Sequence, residues 1–182
     1  MSNPVIYQMF TEQMDMQSLI EYLCINFFLK NEDVDLNQNL AMWRTAEPED
    51  GEYGDCKWRL MLFDADECLS EYDPEESAGG MDDFYLFQTP FVQSLFRNEQ
   101  FRTEFGQTMV EMMDTTFDYD RVHQELMEWQ ERYRAQTMET ERRFFAGEYP
   151  EESYQSTIES MDKFLRERKE FLLEDLRLHG II

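Results

Sequence analysis

Apolar residues recur at intervals of three and four between positions 15 and 30: Met16, Leu19, Ile20, Leu23, Cys24, Phe27 and Phe28. This is the period of a helix buried on one face. It predicts a helix from about Asp15 to Lys30, with Asp15 as its N-cap. The stripe stops in Asn31-Glu32-Asp33-Val34-Asp35-Leu36-Asn37-Gln38-Asn39. Asn and Asp favour loops because they bond their own backbone. Leu40 to Arg44 then reads as a short strand. Thr45 to Asp55 is polar and holds Pro48, Gly51 and Gly54, and Lys57 to Phe63 reads as a second strand. Alternation puts Trp58, Leu60 and Leu62 on one face and Arg59, Met61 and Phe63 on the other. Two short strands around a polar turn predict a hairpin.

Ser70 to Asp83 is acidic, contains Pro74, Gly79 and Gly80, and is the longest expected loop. The rest reads as helical. Phe91, Val92, Leu95 and Phe96 mark a short helix ending near Asn98. Phe101, Phe105, Met109 and Met112 mark another. Val122, Leu126, Trp129 and Tyr133 mark a long one beginning near Asp120. Ile158, Met161, Leu165 and Leu172 mark the last, which opens at Pro150-Glu151-Glu152 and stops at Gly180. The two long helices are expected to pair as an antiparallel hairpin through Phe145 to Tyr149. The expected fold is mainly α with a small antiparallel β-hairpin, an α+β arrangement in one domain over 1–182. Residues 1–83 hold the loop and hairpin, and 84–182 the helical region.

Composition supports a packed core. Of 182 residues, 42% are hydrophobic and 15% aromatic, with 15 Phe and 13 Met. A net charge of −24 argues against nucleic acid as a partner, since phosphates are neutralised by basic surfaces. Cys24, Cys56 and Cys68 form no CxxC pair, which argues against a thiolate zinc site or a disulfide framework. His123 and His179 are expected at the surface or a helix end. No apolar run is long enough to span a membrane, and the N-terminus has no signal-peptide pattern. The expected location is cytoplasmic, or exported if a targeting segment precedes Met1.

Candidate chemistry lies in loop, strand, turn, strand and acidic pair. Asp33 and Asn39 follow the first buried helix, and Asp64 and Asp66 follow the second strand. If the hairpin folds back, the two groups meet at one end of it. Phosphoryl transfer needs an Asp to orient or deprotonate the attacking hydroxyl, and Asn and Asp oxygens to hold magnesium. The alternative is that these residues only turn the chain, as Asp and Asn commonly do. Trp43 and Trp58 are expected to pack the hairpin, with Arg44 and Arg59 pairing to nearby acids. The acidic stretch of Glu67, Glu71, Asp73, Glu75, Glu76, Asp82 and Asp83 matches no EF-hand spacing.

Three segments resemble the CotH family, in the same order as in that family. They are Asn31-x-Asp33 … Asn39-Leu40-Ala41-Met42-Trp43-Arg44, then Lys57-Trp58-Arg59-Leu60-Met61-Leu62-Phe63-Asp64-Ala65-Asp66, then Leu95 to Phe105. The resemblance implies the C-terminal lobe of a kinase-like fold, and ATP- and magnesium-dependent phosphorylation of a protein substrate or partner. Carried over by position, Asp33 would be the catalytic-loop Asp and Asn39 a metal ligand. Asp64 or Asp66 would be the metal-binding Asp, with Asp64 favoured because it comes directly off the strand. Gln38-Asn39 stands where the family has two Asn, with Asn37 as a competing match, and Glu32 stands where an aromatic is common.

Lys30 is the only basic residue before Arg44, and no Gly-rich loop precedes it. The chain is therefore expected to lack the N-terminal nucleotide-binding lobe and to be a fragment or reduced form. The competing expectation is a non-catalytic helical interaction or scaffold domain derived from the same fold.

Overall fold

The computed structural model describes residues 1, 3–36, 38–69, 79–145 and 150–182. Within these residues there are seven α-helices and one two-stranded sheet. In chain order they are α1 (Pro4–Thr11), α2 (Met16–Phe28), β1 (Ala41–Trp43), β2 (Arg59–Met61), α3 (Tyr85–Gln88), α4 (Pro90–Phe96), α5 (Glu99–Asp114), α6 (Tyr119–Thr140) and α7 (Pro150–Leu178). A π-helical turn, Glu141–Phe145, extends α6.

The core forms around α2, which buries Leu19, Ile20, Leu23, Cys24, Phe27 and Phe28. Phe27 meets the Phe84 and Phe87 rings, and Phe28 stacks on Phe117 with centroids 4.0 Å apart. Such pairs add roughly 0.5–1.5 kcal/mol each beyond the area they bury. Phe101, Phe105, Met109 and Met113 of α5 and Phe164, Leu172 and Leu176 of α7 complete the core.

Helix ends follow the expected chemistry. Asp15 caps α2 by accepting a hydrogen bond from the Ser18 amide at 3.0 Å, an interaction typically worth about 1 kcal/mol. Gly180, at φ +64, ends α7. Its amide bonds Arg177 O, and the Ile181 amide bonds Leu176 O, the paired bonds of a Schellman stop. Helix α2 ends the same way, with the Lys30 amide on Phe27 O and the Asn31 amide on Asn26 O. There the left-handed position, φ +52, is held by Lys30, not glycine.

The hairpin is antiparallel, with Ala41 opposite Met61, Met42 opposite Leu60 and Trp43 opposite Arg59. Its strands are shorter than the apolar pattern predicts, at three residues each. The expected face is only partly kept. Trp58 and Leu60 turn toward the core, but Leu62 lies beyond the end of β2 and is exposed. Arg59, on the opposite face, is itself buried, because Asp15 and Asp55 reach its guanidinium at 2.8 and 2.9 Å. Among the described residues Arg44 pairs with no acid, unlike the expectation; its guanidinium stacks 4.7 Å over the Trp58 ring.

Helix α1 was not legible as an apolar stripe. Its signal is local: Asn3 accepts from the Val5 amide, and Pro4 occupies the first turn, where a missing N–H costs nothing. The long helices α6 and α7 pack on each other as the expected hairpin. The connection at 146–149, Asn37, and the 70–78 part of the acidic loop, with Glu71, Asp73, Glu75 and Glu76, lie outside the described residues.

Candidate active site

Both ends of α2 position the candidate residues. At its N-terminus, Asp15 Oδ2 holds Arg59, and Ser18 Oγ accepts the Leu60 amide at 3.1 Å. The Trp58 amide bonds Gln13 O at 2.8 Å, and the Asp15 amide bonds Trp58 O at 3.0 Å. These contacts fix β2, and so the direction in which the chain runs on to Asp64.

At the C-terminal end a relay of buried amides leads to Asp33. Asn26 Nδ2 donates to Tyr22 O at 2.8 Å, and Asn31 Nδ2 donates to Asn26 Oδ1 at 2.9 Å. Asn31 Oδ1 then accepts the Asp33 backbone amide at 3.2 Å. Asn26 and Asn31 are each about 1% exposed, so their polar groups can find partners only in one another and the backbone.

The end of α2 is also tied to α7. Arg168, fully buried, donates from Nε to Phe28 O at 2.9 Å. From Nη2 it donates to Phe27 O at 2.6 Å and to Gly79 O at 3.0 Å. Its guanidinium lies 5.2–5.6 Å from the centroids of Phe27, Phe164 and Phe171. A cation on the last carbonyls of a helix satisfies orphan acceptors and complements the helix dipole.

Asp33 and Asn39 come together. Asn39 Nδ2 donates to Asp33 Oδ2 at 2.7 Å and to Asp33 O at 2.9 Å. Gln38 Nε2 donates to Asp33 Oδ1. Both carboxylate oxygens of Asp33 are thus oriented by neighbouring amides, while the Asn39 amide oxygen accepts no hydrogen bond among the described residues. Tyr22 OH donates to Asn39 O at 3.3 Å, and burial pushes this phenol up to about 12. Asn39 sits at φ +53, a left-handed conformation that Asn tolerates better than most residues.

Asp64, also at φ +53, leaves β2 through an exposed segment. Its carboxyl is held above the usual range by desolvation, by repulsion from Asp66 and a hydrogen bond to it, and by the charge of Asp33. Of the acidic pair, Asp64 is the one whose carboxyl feels the charge of the loop aspartate.

The donor set of Asn39, Asp64 and Asp66 is all oxygen, which suits a hard cation such as magnesium. The side chains are not closed into a cage: among the described residues no three His, Cys, Asp or Glu side chains converge to hold a metal.

The apolar pattern missed Asn26 and Arg168 because both sit inside helical stripes. Each leaves a sequence signal. Asn26 continues the stripe of Leu19 and Leu23, and Arg168 falls between Leu165 and Leu172, so each is a polar residue at a core position. The histidines take structural partners. His123 Nδ1 lies 2.6 Å from Asp162 Oδ1, and His179, just past α7, faces Asp82 and Asp175. No helix among the described residues is long and apolar enough to cross a membrane.

The family model described as CotH kinase protein matches residues 2–172 of the 182. No curated protein and no solved structure matches the chain. The ordered loop and strand segments are thus part of a match running almost from end to end, and the chain belongs to the CotH kinase protein family, as a kinase-like domain.

Proposed function

We propose that this domain acts in magnesium- and ATP-dependent phosphoryl transfer to a protein hydroxyl. The observation that supports the reading is the 2.7 Å bond between Asn39 and Asp33, with Asp64 near enough for the Asp33 charge to raise its carboxyl. Asp33 would accept the proton of the attacking hydroxyl, its carboxylate held in place by Gln38 and Asn39. The amide oxygen of Asn39 and the carboxylates of Asp64 and Asp66 would hold magnesium. Bound there, the ion would supply positive charge to offset that of the phosphates. It would also relieve the repulsion that Asp64 feels from Asp66 and Asp33.

The test is a melting experiment with and without ATP, each in magnesium and in chelator. A ligand at a hundred times its Kd stabilises by about 2.7 kcal/mol. A shift requiring both ATP and magnesium, lost in Asp64→Ala or Asp66→Ala but present in Asp33→Ala, is the expected result. Unchanged phosphotransfer by Asp33→Ala would remove that residue from the catalytic role.

A second reading is a non-catalytic interaction domain. It is favoured by α6, which buries no residue along 22 positions. Trp129 and Tyr133 lie 51% and 42% exposed on it, stacked at 5.1 Å, with Arg132 over both rings. Absence of any ATP-dependent shift would turn the assignment to this reading.

A further inference from the structure

The hairpin does not close fully on the helices beneath it. Between its inner face and α1, α2 and α4 lies a cavity of about 300 Å³. Phe10, Met14 and Leu23 form part of its floor, and Leu40, Met42 and Leu60 part of its roof. The accessible wall is wholly apolar. Tyr22 contributes its ring to the wall and turns its hydroxyl onto Asn39 O.

We propose that this cavity binds a small, neutral, apolar molecule, such as one aromatic ring or a short alkyl chain, and that its occupation braces the loop carrying Asn39. The volume is at the lower end of ligand pockets, and about twice that of an engineered apolar cavity in another protein that stays dry and takes benzene (roughly 150 Å³). Water gains little from a wall without polar partners, and an empty space forfeits dispersion contacts on every side. The same wall selects against charged or hydrogen-bonding ligands, which would leave water without compensation. Nucleotides are therefore excluded from this cavity, and it is separate from the carboxylate site.

Entry is from the loop side. Leu36 and Met42 line the cavity yet remain 41% and 37% exposed. Leu36 and Leu40 straddle Asn39 in sequence, and Tyr22 is bonded to its carbonyl. A ligand in the cavity touches all three residues. Filling the space removes the room into which Leu36 and Leu40 can collapse, and so narrows the positions open to Asn39. The proposal holds whether or not the carboxylates act in phosphoryl transfer.

The full chain, labelled with ¹³C at the methionine methyls, provides the test. On titration with toluene, the Met14 and Met42 methyl signals are expected to shift saturably, while those of Met109 and Met113, fully buried elsewhere in the core, stay in place. Backbone hydrogen exchange at Leu40 and Ala41 is expected to slow severalfold at saturation. Leu36→Phe at the rim and Leu40→Phe in the roof fill the space, and each should weaken the titration at least tenfold. No saturable shift at either methionine, equal shifts at Met109 and Met113, or an undiminished titration in both variants would overturn the site. Saturable shifts with unchanged exchange at Leu40 and Ala41 would overturn its coupling to the loop.

Discussion

Arg168 donates from Nε to the carbonyl of Phe28 at 2.9 Å, across 140 residues of sequence. The bond joins the last helix to the last turn of α2, just before the loop that carries Asp33 and Asn39. A buried guanidinium here is held by backbone carbonyls and aromatic faces, and it fixes the start of that loop.

Arg168→Leu is expected to lower the unfolding free energy by about 3–5 kcal/mol, because several carbonyls lose a charged donor in a site closed to water. Arg168→Lys should recover less than half of the loss, since an ammonium cannot reproduce the planar fork. Urea denaturation with a common m-value measures both. A cost under about 1 kcal/mol for Arg168→Leu would show that the carbonyls find other partners.

Asn39 separates side chain from backbone. At φ +53 an alanine is strained by about 1–2 kcal/mol, whereas glycine is not. Asn39→Ala should therefore be less stable than Asn39→Gly, although both lose the bonds to Asp33. Equal midpoints in denaturant would mean that the loop changes conformation when the amide is removed.

Asn31→Ala breaks the relay at its middle. It leaves Asn26 Oδ1 and the Asp33 amide without their partners, at a cost of about 1–3 kcal/mol. Hydrogen exchange at Asp33 should quicken in this variant while exchange in α5 stays unchanged. Exchange that quickens equally in both would indicate global loosening.

Asp64 and His179 give opposite pH signatures, although the carboxyl and the imidazole are both raised. For Asp64 the raised group is one that ionises to an anion. The folded state therefore carries a penalty that is absent below the ordinary carboxyl value of 3.8 and fully present above the raised value. Asp64→Asn should be more stable than the parent at neutral pH, with the gain fading as pH falls through the raised value and gone below 3.8. Solvent screening keeps that gain small, because Asp64 is exposed. His179 is raised above 6.5 by its hydrogen bond to the Asp175 carbonyl, against partial desolvation, and by Asp82 and the Asp175 carboxylate. Its contribution to stability is fully present below 6.5 and is lost as pH rises through the folded-state value. His179→Gln should flatten stability against pH in that window. Thermal melts from pH 3 to pH 9 test both, and a parent-like pH slope in His179→Gln would remove the histidine from this role.

Much of the helical frame was legible because burial writes a period into a helix. Met16 to Phe28, Phe101 to Met112 and α7 each show it, whereas the stripe of α6 marked a helix that buries none of its residues fully. Local chemistry marked Asp15 as a cap and Gly180 as a stop, and the bonds made by both agree. The strands were legible as elements but not in extent, because residues such as Leu62 and Phe63 are apolar without being buried. Hydrophobicity alone does not end a strand; the hydrogen-bonded partner does, and β1 supplies only three residues of it.

The candidate site divides in the same way. The sequence by itself determined which residues carry oxygen chemistry, and in what order: Asp33, Asn39, Asp64 and Asp66. It also determined a family whose model spans almost the whole chain. Only the tertiary structure decided that Asn39 turns back onto Asp33, that Asp64 feels Asp33's charge, and that Arg168 closes the end of α2 from the far end of the chain. The physical reason is that periodicity and capping act over a few residues. The partner of a buried charge or amide is chosen by whatever the fold brings near it, because a buried polar group must be satisfied from any sequence distance.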